Sequence, residues 1–175
     1  MTRLITTYGA IAGIIELILL ALTMGLVADH GMLGMVLGYL SMLIALSLVF
    51  AGVRKYRDEH LGGVIGFGKA LGVGLGIAAI AALFYVIGWE AWMWSTDYRF
   101  VAEFSAKALA DMQAQGASAA ALAQAKVDMD AFAEMYANPV MRMAITLTEI
   151  APVALLVPLI SALLLRRPGF MPARA

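Results

Sequence analysis

Three carboxylates, Glu16, Glu90 and Glu149, sit within or at the end of long apolar runs. An acid at bilayer depth usually faces protein or water, and the chemistry it can do there is to take up and release a proton or a small cation. Glu16 lies near the middle of its run. On an ideal helix it falls about 20° from Gly9 and about 60° from Gly13, at 100° per residue. Small residues mark where membrane helices approach closely, so Glu16 is expected to point into a helix–helix contact. Two readings follow: a proton or cation site, or an acid satisfied by Ser41 or a freed carbonyl. Glu149 stands three residues before Pro152, which cannot donate to the carbonyl of Thr148. A carbonyl and a carboxylate side by side there could hold a water or a cation. Both acids are expected to face protein, and two acids in a low dielectric do not both ionise cheaply. Glu16 and Glu149 are therefore the candidate intramembrane proton or cation site. Glu90, close to three tryptophans, shares the outer third of the membrane with Arg142, and the two are expected to form an ion pair.

The runs that must position these acids are Leu4–Ala28, Met32–Val53, Ala70–Trp89 and Met143–Leu165. Each is long enough to cross a hydrocarbon core of about 30 Å as a helix, and lipid leaves the backbone no other way across. The expected fold is an all-α membrane protein in one domain, residues 1–175, with spans at about 4–28, 32–53, 69–94 and 140–165. Asp29-His30-Gly31 is short enough to make the first two spans an antiparallel hairpin. Arg54–His60 reads as a solvated loop broken by Gly62 and Gly63. Gly34 and Gly38, and Gly68, Gly72 and Gly76, repeat at four-residue spacing and are expected to be packing faces. Trp89, Trp92 and Trp94, with Tyr85 and Tyr98, mark one membrane interface.

Residues 95–138 form the one sizeable polar segment. It reads as a helical hairpin: a helix over about 97–115, a stop at Gly116, and a second helix capped by Ser118. Arg99, Glu103, Lys107 and Asp111 alternate in sign at i+4 along one face. Phe100, Phe104, Ala108 and Met112 make an apolar stripe, answered by Leu122, Ala125, Met129, Phe132 and Tyr136. Asn138-Pro139 closes the segment and opens the last span. Of the twelve Lys and Arg residues, Arg99, Lys107, Lys126 and Arg142 fall on one side of the membrane and the other eight on the opposite side. The positive-inside bias then puts both termini in the cytoplasm and the hairpin outside, in a bacterial inner membrane if the source is bacterial. Reporters fused at Gln115 and Ala175 would label opposite compartments.

Gly34-Met-Val-Leu-Gly-Tyr39, Val53-Arg-Lys-Tyr-Arg-Asp58, Leu61-Gly-Gly-Val-Ile-Gly-Phe-Gly-Lys-Ala70 and Phe84-Tyr-Val-Ile-Gly-Trp-Glu90 follow in order along the chain. The last span adds Glu149-Ile-Ala-Pro152 and Leu156-Val-Pro-Leu-Ile-Ser161 before Arg166-Arg167. Together these resemble the bacterial membrane family called domain of unknown function 4199, over nearly the whole chain. The resemblance implies four spans, a polar helical insert before the last, and no assigned biochemistry. It also implies that Glu90 and Glu149 belong to the family pattern.

Composition narrows the function classes. The chain is 63% hydrophobic with zero formal net charge, so it has no global basic field for nucleic acid. It has no Cys, and His30 and His60 stand alone, so no metal cluster is expected. Gly72-Val-Gly-Leu-Gly76 lacks the strand–turn–helix setting of a nucleotide loop. No nucleophile or metalloprotease motif is present, so the chain does not read as an enzyme, and no cofactor is expected. The expected partners are the lipid bilayer and either a second copy or another membrane protein. The expected role is a non-catalytic membrane component that self-associates or docks a partner through the outer hairpin. The alternative is a small proton- or cation-coupled transporter using Glu16 and Glu149.

Overall fold

The computed structural model describes residues 1–26 and 32–172. They form six helices: α1 (Thr2–Leu26), α2 (Met32–His60), α3 (Phe67–Ser95), α4 (Phe100–Ala114), α5 (Ala119–Ala137) and α6 (Pro139–Leu165). Helices α1, α2, α3 and α6 are long and apolar enough to cross a membrane, and the chain is a multi-pass membrane protein with α4 and α5 between its third and fourth spans. The expected Asp29-His30-Gly31 turn, and His30 with it, lie outside the described residues. The chain divides into two compact units, Met1–Gly88 with Leu147–Ala175, and Trp89–Thr146. The second is wider than the expected insert at both ends, because it takes in Glu90 and Arg142.

In the first unit the spans interlock where glycine replaces a side chain. A Cβ on Gly9 would lie 2.6 Å from Ile80 Cβ, and one on Gly13 would overlap the side chain of Phe84. Gly52 admits Ile77 and Tyr8, Gly74 admits Pro158 and Val49, Gly76 admits Ile5, and Gly88 admits Leu17. The backbones of α1, α2, α3 and α6 thus approach closely at glycines, as small-residue packing in lipid requires. Ala70, Val73, Ile77, Ala78, Ala81 and Tyr85 fill the buried face of α3.

That face corrects the expected packing role of Gly68 and Gly72. Both are exposed, and a Cβ on either would meet nothing within 4 Å. Gly72 lies about 160° from Gly74 around the helix, at 100° per residue, so the face that buries Gly74 turns Gly72 outward. Gly38 likewise has open space where a Cβ would stand, whereas Gly34 is buried. The second correction is at the end of α2. Arg54–His60 continue the helix and are not a loop, and the break comes at Gly62 and Gly63, with φ of 63° and 89°. The Arg57 carbonyl closes the helix by accepting from the amides of Leu61 and Gly63.

In the second unit α4 and α5 pack on one another as a hairpin. Gly116 turns the chain at φ 80°, and the Ser118 hydroxyl caps α5 by accepting from the Ala121 amide at 3.2 Å. Helix α4 starts at Phe100, three residues later than expected. Asp97 and Tyr98 just before it take φ of 51° and 56°, a left-handed turn no helix can include. Lys107–Asp111 and Arg99–Glu103 pair along α4 as their spacing predicts. Asn138 caps α6 by accepting from the amides of Val140 and Met141.

Candidate functional site

Glu16 projects from α1 towards α2. Only 1% of it is exposed. The Ser41 hydroxyl lies 3.3 Å from Glu16 Oε1 and 2.7 Å from the carbonyl oxygen of Gly38. A hydroxyl carries a single proton, and it cannot serve both acceptors fully. Glu16 Oε2 is buried and has no hydrogen-bond partner among the described residues. Leaving a buried oxygen of an acid unsatisfied is costly, so a proton, a cation or a water would each find a use at this point.

Glu149 is placed differently from the expectation. It is exposed on the surface of the single chain, although the Tyr85 hydroxyl of α3 donates to its Oε2 at 3.2 Å. The sequence argument turned it towards protein because of its depth. Its neighbour Ile150 takes the buried face of α6 instead, fully buried. Glu149 lies 17 residues before Arg166, about 25 Å along the helix, and so within the hydrocarbon layer. No hydrogen bond joins Glu16 to Glu149 among the described residues; each acid has a hydroxyl partner of its own.

Glu90 and Arg142 meet in the second unit. Arg142 Nε donates to Glu90 Oε1 and its second terminal nitrogen to Oε2, both at 2.7 Å, a bidentate pair. The remaining terminal nitrogen donates to the Tyr136 carbonyl at 3.0 Å. The guanidinium also stands 4.8 Å from the Tyr98 ring centroid and 5.9 Å from that of Tyr136. Trp89 Nε1 donates to the Tyr136 hydroxyl at 2.6 Å, and its ring packs against Trp92 and Phe100. The sequence reading found the charged pair and missed the aromatic shell. The signal for the shell was the aromatic belt itself, which marks the interface and also walls in Arg142.

A family described as "Protein of unknown function (DUF4199)" matches residues 7–167. The chain belongs to it. The match runs from α1 to the end of α6 and so includes Glu16, Glu90, Arg142 and Glu149. No curated protein and no solved structure matches the chain.

One further site belongs to the first unit and had no forecast. Arg57, fully buried, donates from Nε to Asp58 Oδ1 at 2.6 Å and from its two terminal nitrogens to the carbonyls of Phe170 and Met171 at 2.9 and 2.5 Å. Phe170 also sets its ring edge-on to Phe50, centroids 6.3 Å apart. The segment after α6 is thereby fastened to the end of α2.

Proposed function

We propose that this protein is a non-catalytic membrane component that works as a self-associated assembly, with the face of α6 bearing Glu149 as its contact. The observation that carries this is an exposed acid within the hydrocarbon layer. Acids at that depth are costly against lipid and are found against protein or water. A second copy supplies the cover economically. Around a two-fold axis the same residue stands at the same depth in both chains, and two carboxyl groups bond to one another through a shared proton. The uncovered Gly68 and Gly72 on α3 fit the same reading, since small residues admit a neighbouring helix closely. The topology favoured by the charge bias, both termini in the cytoplasm of a bacterial inner membrane, leaves the α4–α5 hairpin outside for a further partner.

The chain has no Cys, so a single introduced thiol reports contacts without background. Leu156, 54% exposed, lies two turns from Glu149 and about 20° round the helix. Leu156→Cys is expected to form an intermolecular disulfide on mild oxidation in membranes, and Leu43→Cys on the outward face of α2 is expected to form far less. A chain that stays uncross-linked at Leu156 and monomeric in detergent would sink the proposal.

A second reading, a proton- or cation-coupled role, is favoured by the unpartnered oxygen of Glu16. Sodium added to the solubilised protein should then release protons, and Glu16→Gln should abolish the signal. If wild type and variant respond alike, the acid is structural.

A further inference from the structure

The last turns of α2 present an outward groove of about 300 Å³, lined by Phe50, Ala51, Arg54, Lys55, Asp58 and Glu59. These residues form three successive layers at i+4 spacing, each about 6 Å further along the helix. The first layer is apolar, the second basic and the third acidic. A helix of 29 residues rises about 43 Å, more than the hydrocarbon thickness, and its unbroken apolar stretch ends at Val53. The groove therefore passes from acyl-chain depth into the headgroup layer. Arg57 lies about 20° round the helix from Phe50, and its guanidinium is engaged with Asp58 at 2.6 Å and with the segment after α6, so Glu59 is the acid of the third layer left to a ligand.

We propose that this groove binds one phospholipid with a phosphoethanolamine headgroup. The order of the layers matches the order of groups in such a lipid. Acyl and glycerol carbons lie along Phe50 and Ala51. The phosphate sits at the level of Arg54 and Lys55. The ammonium, one ethylene bridge beyond the phosphate, reaches the level of Asp58 and Glu59. Lys55 and Glu59, 3.3 Å apart and each about half exposed, are only loosely engaged, and Arg54 lies 3.5 Å from an Asp58 already held by Arg57. A half-exposed pair such as Lys55–Glu59 is weak, so a zwitterion inserted between the layers exchanges that poor contact for charge-assisted hydrogen bonds. The acidic layer sets the selectivity. A choline headgroup has no N–H to donate to a carboxylate, and a phosphoglycerol headgroup brings no cation to pair with Glu59.

The test uses the full chain, delipidated in detergent and offered an equimolar mixture of phosphatidylethanolamine, phosphatidylcholine and phosphatidylglycerol of one acyl composition. Lipid retained on the intact protein is read by native mass spectrometry. The wild type is expected to retain phosphatidylethanolamine first. Glu59→Gln should cut its preference over phosphatidylcholine by about two- to fivefold, the worth of one exposed charge contact. Lys55→Gln should lower retention of all three lipids, because each carries the phosphate. Both side chains are about half exposed and make no buried contact, so both variants should fold. Equal retention of the ethanolamine and choline lipids by the wild type, or an unchanged preference in Glu59→Gln, overturns the site.

Discussion

Replacing Glu90 by Gln is expected to destabilise the folded protein by about 3 kcal/mol, the lower end of the range for breaking a buried ion pair. The lower end applies because the Glu90 side chain keeps 17% exposure, whereas that of Arg142 keeps 4%. The loss comes from what is left behind. Arg142 cannot shed its charge and cannot leave, since its third nitrogen remains on the Tyr136 carbonyl and its plane remains against Tyr98. A guanidinium that loses its carboxylate there is a desolvated cation facing an amide. Arg142→Lys should recover little, because one ammonium cannot hold two carboxylate oxygens and a carbonyl in a fork. The double variant Glu90→Leu, Arg142→Met should be closer to wild type than either single change, because it removes both charges together. Unfolding of wild type, Glu90→Leu, Arg142→Met and the double variant in one detergent, followed by Trp fluorescence, measures the cycle, and Trp89 reports directly through its bond to Tyr136. Additive single effects would show that the pair is not coupled.

The contrast between Glu90 and Gly72 shows what a membrane sequence discloses. Span number, the hairpin, the Gly116 stop and the Ser118 cap are all local: each follows from hydropathy over about 20 residues or from a turn residue whose preference is intrinsic. The meeting of Glu90 and Arg142 was accessible because opposite charges near one interface have few other partners. Helix rotation was not accessible. A soluble helix shows which side is buried through its polar face, but a span is apolar towards lipid and towards protein alike, so periodicity carries little information about its rotation. Gly68 and Gly72 were assigned inward on a spacing that Gly74, Ile77, Ala81 and Gly88 satisfy equally well. Glu149 was placed against protein for the same reason, from its depth alone. Its depth still constrains it, and for that reason its exposure on a single chain supports the proposed assembly.

Arg57 was hidden by a different cause. In the sequence it is one basic residue in a charged cluster, Arg54 to His60, which looks like any solvated end of a span. Its partners are two backbone carbonyls 113 and 114 residues away, and a carbonyl has no residue signature. Only the fold shows that this guanidinium is fully buried while Arg54 and Lys55 on the same turns are not. Arg57→Met is therefore expected to act well beyond the loss of one surface charge. Hydrogen bonds to charged groups contribute about 1.5–3 kcal/mol each, but removing the cation also relieves its desolvation, so the net cost should be about 2–4 kcal/mol. It should be local as well as global. Without the two bonds, no other hydrogen bond among the described residues ties the carbonyls of Phe170 and Met171 to α2, and the edge contact with Phe50 remains. The turn closed by the Phe170 amide on the Arg167 carbonyl should open, and that amide should exchange with solvent at least about tenfold faster, the equivalent of about 1.4 kcal/mol. Arg57→Lys should behave nearly as badly, since a point charge cannot span two carbonyls and Asp58 at once. Hydrogen exchange over residues 166–172, compared with α3 as an internal standard, is the measurement. Unchanged protection of that segment in Arg57→Met would mean that Phe170 alone fastens it, and the buried guanidinium would need another explanation.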